Sequence, residues 1–70
     1  MLSGFVMDPA WDKLVDSVLS GLEPDGAARR LIRQRLVADG SLPLLRRVWA
    51  LGGSPEWVGR LLRRMAENRR

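Results

Sequence analysis

Seventy residues, 46% hydrophobic and 29% charged, with neither cysteine nor histidine, have the composition of one small globular domain and not of a disordered chain. The missing residue types exclude disulfides, thiolate or imidazole metal sites, and catalysis through the commonest side-chain base. The net charge of +4 is split between −4 over residues 1–26, where Lys13 faces Asp8, Asp12, Asp16, Glu23 and Asp25, and +8 over residues 27–70, where eleven arginines face Asp39, Glu56 and Glu67.

An acidic front and a basic back draw an anionic partner to the back half, or draw the two halves of one or two chains together. A chain this short buries only about 60% of its unfolded surface, and cores of that size are often completed by a second subunit. No apolar run reaches the roughly 20 residues that span a bilayer. The opening MLSGFVM has no basic flank and no long apolar continuation, so it does not read as a signal peptide. Leu2, Phe5, Val6 and Met7 are expected to pack on the bundle or on a second subunit. A cytoplasmic location is expected.

Asp8 followed by Pro9 marks the start of a first helix. Trp11, Leu14, Val15, Val18, Leu19 and Leu22 recur at helical spacing and form its apolar stripe. Asp12, Lys13, Asp16, Ser17 and Ser20 form the wet face, and Gly21 with Pro24 is expected to close the helix. A second helix is expected from about Pro24 to Asp39, ended by Gly40. Ala28, Leu31, Ile32 and Leu36 make its apolar arc. Arg35 falls inside that arc, so its head snorkels out along the helix edge, meets Asp39 or Asp16, or marks a partner surface. Val37 projects from the polar side.

Ser41 is placed to cap a third helix over Leu42 to Leu51, with Pro43 in its first turn. Leu44, Leu45, Val48, Trp49 and Leu51 leave only a narrow polar side at Arg46, Arg47 and Ala50, which predicts the most buried helix of the four. Gly52 takes the left-handed conformation that ends it. Ser54 caps the last helix, Pro55 opens it and Glu56 sits at the positive end of its dipole. Val58, Leu61, Leu62 and Met65 face inward, with Trp57 on the border of that stripe. Gly59, Arg60, Arg63 and Arg64 are expected on the outer side, and residues 67–70 as a fraying end.

An enzyme is hard to build from these parts. Asp12 and Asp16, four apart on a wet helix face, read as a solvated pair. Gly52-Gly53 lacks the Gly-Lys-Ser/Thr that completes a phosphate-binding loop. Neither catalysis nor a cofactor nor a metal is expected.

Ala50 to Arg64, ALGGSPEWVGRLLRR, resembles the turn and recognition helix of bacterial helix-turn-helix proteins. Leu51, Gly52, Ser54, Val58, Arg60, Leu61 and Leu62 stand at matching positions: glycine for the sharp turn, serine for the cap, and Val58 with Leu61 to lock one helix on the other. Gly53 departs from the branched apolar residue usual there, and Trp57 from a small polar one. The resemblance implies a groove-facing side of Pro55, Glu56, Trp57, Arg60 and Arg64, with Arg46 and Arg47 nearer phosphate. Arginine suits either task, because its planar fork grips phosphate or a guanine edge in two places. The excess of arginine over lysine also has a bland source in GC-rich coding sequence.

The expectation is an all-α, compact single-domain bundle of four short helices, the last two forming a helix-turn-helix. Its function is expected to be DNA binding in transcription regulation, through Arg46, Arg47, Pro55, Glu56, Trp57, Arg60, Arg63 and Arg64, and as a dimer. The alternative is a protein-interaction module that docks through complementary charged faces, with Asp12 and Asp16 on one of them. In architecture and charge separation the chain is similar to death-fold-like adaptors, and the same features fit a phage- or operon-encoded inhibitor.

Overall fold

A computed structural model describes residues 8–69. The expected docking of residues 1–7 lies outside them, as does Arg70. The described residues form four helices: α1 (Pro9–Leu22), α2 (Gly26–Ala38), α3 (Ser41–Ala50) and α4 (Pro55–Glu67). The fold is all-α, as expected. None of the four is long and apolar enough to cross a membrane.

The Asp8 carboxylate accepts from the Ala10 and Trp11 amides at 3.1 and 3.3 Å, satisfying orphan donors at the start of α1. The stripe expected on α1 is the one it buries: Trp11, Val15, Leu19 and Leu22 enter the core, with Leu14 and Val18 packed against it. Gly21 does not help to end the helix. Leu22 is still helical and buried, and the chain turns extended only at Glu23, because the residue before a proline avoids the helical region.

Two other boundaries also differ from expectation. α2 starts at Gly26 and not at Pro24, since the Asp25 carboxylate is the cap, accepting from Ala28 N at 3.0 Å. Ser41 does not cap α3 but is its first residue. Gly40, at φ 83°, occupies the cap position, and the Asp39 carboxylate accepts from Ser41 N at 2.9 Å.

α2 contributes Ile32 and Leu36 to the core. Leu31 is exposed, since it lies about 100° round the helix from Ile32. Val37 is exposed as expected. α3 is not the most buried helix: only Leu42 and Leu45 are buried, while Leu44 is 54% and Leu51 88% exposed. A ten-residue helix between α2 and α4 covers one side only, and Leu51 falls past its last turn.

The α3–α4 corner is the tightest point of the fold. Gly52 N donates to Trp49 O at 3.1 Å and Gly53 N to Val48 O at 3.0 Å, the paired bonds of a Schellman stop. Gly52 sits at φ 99°, as its sequence position predicts. Gly53 is required by space. A Cβ there would lie 3.0 Å from both Val48 Cγ1 and the Val48 carbonyl oxygen, and 3.1 Å from Val58 Cγ2. The two valines close directly on the glycine backbone.

Ser54 Oγ then accepts from Trp57 N at 3.2 Å. Val58, Leu62 and Ala66 are fully buried. Gly59 is not on the outer side. It faces α1, where an added Cβ would lie 3.4 Å from Leu14 Cδ1. The end of α4 is held, not frayed: the Arg69 guanidinium pairs with Asp39, and Arg35 donates to the Arg69 carbonyl at 2.9 Å. Arg35 thus leaves the core edge as expected, but for a backbone acceptor instead of a carboxylate.

Gly53→Ala is expected to cost about 1–3 kcal/mol by overpacking, lowering Tm by at least about 4 °C in a chain of this size. Gly21→Ala is helical and meets open space, so it should raise Tm through helix propensity, worth up to about 1 kcal/mol. Thermal melts followed by circular dichroism check both, and an unchanged Tm for Gly53→Ala contradicts the packing of the corner.

Candidate nucleic-acid interface

The carboxylates of the acidic half are engaged inside the fold. Arg33 reaches back from α2 to α1, with Nη1 3.1 Å from Asp16 Oδ1 and Nη2 3.8 Å from Asp12 Oδ1. Asp8 Oδ2 accepts from the Trp49 indole N–H at 2.9 Å and lies 3.7 Å from Arg46 Nη1. The Trp49 ring packs on Trp11 at 6.0 Å between centroids, so the start of α1 is docked on α3. Glu23 accepts from Asp25 N at 3.2 Å. These groups are largely solvated, and each surface ion pair is worth less than about 1 kcal/mol. Their importance lies in where they leave the field.

Two of these acids are held below the usual carboxylate range. Asp8 is lowered first by the Trp49 indole hydrogen bond, with the Trp11 and Ala10 amides and Arg46 adding to it against some desolvation. Asp39 is lowered first by Ser41, through its side chain and its amide, and then by Arg69.

The basic side is different. Arg47 on α3 and Arg60, Arg63 and Arg64 on α4 are exposed, and among the described residues the side chain of none of them makes a hydrogen bond or ion pair. At 100° per residue the outer surface of α4 divides into two edges. Trp57, Arg60 and Arg64, at i, i+3 and i+7, form one edge, which Glu56 and Glu67 border beside Arg60. Glu56, Arg63 and Glu67 form the other, which lies on the side of Gly59 and therefore toward α1.

The structure thus separates residues that the sequence groups together. Arg46 is half-buried and paired with Asp8, away from the free arginines. Arg47 lies on the outer side of α3, in a cleft with Leu44, Val48 and Leu51. Pro55 and Glu56 are exposed in the first turn of α4, and Trp57 is 49% exposed beside them. Asp12 and Asp16 share Arg33. Arg33 itself carries no sequence signal for that role, because its partners lie 17 and 21 positions earlier and meet it only through packing.

Four residues, Leu51–Ser54, connect α3 to α4, a length suited to a helix-turn-helix corner. At Gly53, Val48 and Val58 fill the space that a side chain would occupy. Comparison of the chain with family models, with curated proteins and with solved structures gives no match.

The lowered values of Asp8 and Asp39 set the acid dependence. A carboxylate whose folded value lies below its unfolded value of about 3.9 adds stability above that pH, and the contribution is lost as pH falls through the folded value. Thermal melts should therefore decline below about pH 4, and the double variant Asp8→Asn, Asp39→Asn should start lower at pH 7 and decline less steeply. Parallel curves for the two proteins would contradict the assignment.

Proposed function

We propose that this chain is a small bacterial DNA-binding regulator of the helix-turn-helix type, with α4 as the helix that enters the major groove. The observation that carries this reading is the set of unpaired arginines on α3 and α4, left free in a fold that engages Asp8, Asp12, Asp16 and Asp39 internally. Trp57 faces the bases, while Arg47, Arg60, Arg63 and Arg64 grip the phosphates that wall the groove. Glu56 in the first turn is suited to accept from a cytosine amino group, and Pro55 packs close to the backbone. Arg46, committed to Asp8, is left out of the contact set. One α4 per chain fits a dimer that reads two half-sites about one helical turn apart. No cofactor enters this reading, and its place of action is the bacterial cytoplasm.

A second reading, a protein-interaction module, is favoured by exposed apolar side chains: Leu44, Leu51 and Trp57. Its acidic docking face is weakened by Arg33, which already occupies Asp12 and Asp16. Its basic face is the same set of arginines.

The discriminating measurement is fluorescence anisotropy with a short random duplex at 50 and 200 mM salt, run beside a sizing column. Four phosphate-facing arginines per chain give a slope of log K on log salt of about −3 to −4, a loss on the order of a hundredfold across that range. Arg60→Ala with Arg64→Ala should weaken binding at least about tenfold and flatten the slope, while Arg33→Ala should change affinity less than about twofold. Absence of duplex binding at low salt removes the proposal and leaves the interaction module.

A further inference from the structure

Resting on that reading, we infer that Trp57 is the specificity-determining side chain of α4 and that it selects thymine in the major groove. The chain has three tryptophans, and two are used by the fold: Trp11 is buried in the core, and Trp49 packs on it with its indole N–H given to Asp8. Trp57 has neither employment. Half of it is exposed, and among the described residues its indole N–H has no acceptor. Its position is nevertheless fixed, because its backbone amide is bound by Ser54 Oγ at 3.2 Å.

A residue in the first turn of a groove-entering helix lies at the base edges. Arg60 and Arg64 continue the same edge and are drawn to the phosphate walls or to guanine. An indole has no affinity for phosphate as a counter-ion. It offers an apolar body, one N–H donor and no acceptor. Thymine is the base whose major-groove edge matches that set, with a methyl group beside the O4 acceptor. Cytosine presents its amino donor, guanine two acceptors without an apolar group, and adenine a donor beside its acceptor. A donor-only indole meets an unpaired donor at cytosine and leaves its apolar body unmatched at guanine.

The test compares alternating dA·dT and dA·dU duplexes of one length, which differ only in the 5-methyl group and carry the same phosphate charge. Wild-type protein should bind the thymine duplex about fourfold tighter, the worth of one buried methyl group. Trp57→Ala should bring the ratio to about one while leaving the salt slope intact. Trp57→Phe, which keeps an apolar ring without the donor, should retain part of the preference. Circular dichroism confirms that each variant is folded, as expected for a half-exposed site. Duplex binding with no methyl preference, or with a preference that survives Trp57→Ala, overturns this inference alone. A preference for single strands over duplex that depends on Trp57 also overturns it, since the indole would then be stacking on unpaired bases. Failure to bind any duplex removes the DNA reading itself.

Discussion

The internal pairing of the acidic residues decides what the surface of this protein can do. Asp12 and Asp16 share Arg33, Asp8 holds Arg46 and Trp49, and Asp39 holds Arg69. These contacts add little to stability one by one, because they are solvated. Together they engage Asp8, Asp12, Asp16 and Asp39 with arginines from α2, from α3 and from Arg69 just past α4. Among the described residues, unpaired positive charge is left on Lys13 and Arg30 and, on α3 and α4, on Arg47, Arg60, Arg63 and Arg64, with Glu56 and Glu67 beside the α4 arginines. The acidic front and basic back written in the chain therefore become, in three dimensions, a partly self-paired body whose α3 and α4 carry most of the unpaired arginines.

Packing holds that helix in place at three points. The Gly52-Gly53 corner lets Val48 and Val58 close on bare backbone. Gly59 lets α4 approach Leu14 and Val18 of α1. The Arg35–Arg69–Asp39 contacts fasten its far end to the α2–α3 corner. A helix pinned at its start, middle and end presents its outer side chains in a fixed register, which recognition of an ordered partner requires.

The features legible in the sequence were those whose physics is local. Asp8 and Ser54 cap helices within three residues of themselves, and Gly52 takes a positive φ for its own helix end, so these were readable from spacing alone. The stripe of α1 was readable because a helix with 3.6-residue periodicity has one apolar side. Positions that depend on another element were not legible. By periodicity Gly59 falls on the outer side, but it faces α1; Leu44 and Leu51 fall in an apolar stripe that α3 leaves exposed; and Arg46 falls on the polar side but pairs with Asp8. The starts of α2 and α3 illustrate competition between neighbouring positions, where Asp25 and Gly40 take the cap in place of the expected start at Pro24 and the expected cap at Ser41. In the candidate site, the α4 arginines could be named from the chain. That they and Arg47 stay without a side-chain partner, while Arg46 pairs with Asp8, required the packed helices.

On the proposed reading, an anionic partner meets the outer arginines of α4 and not the paired face of α1 and α2. Amide and indole shifts of isotope-labelled protein, followed by NMR as a short duplex is added at low salt, test it directly. The account predicts perturbations concentrated at Arg47 and from Glu56 to Arg64, including the Trp57 indole, with the Trp11 indole nearly unmoved. Perturbations concentrated at Asp12, Asp16 and Arg33, or none at saturating duplex, would contradict it.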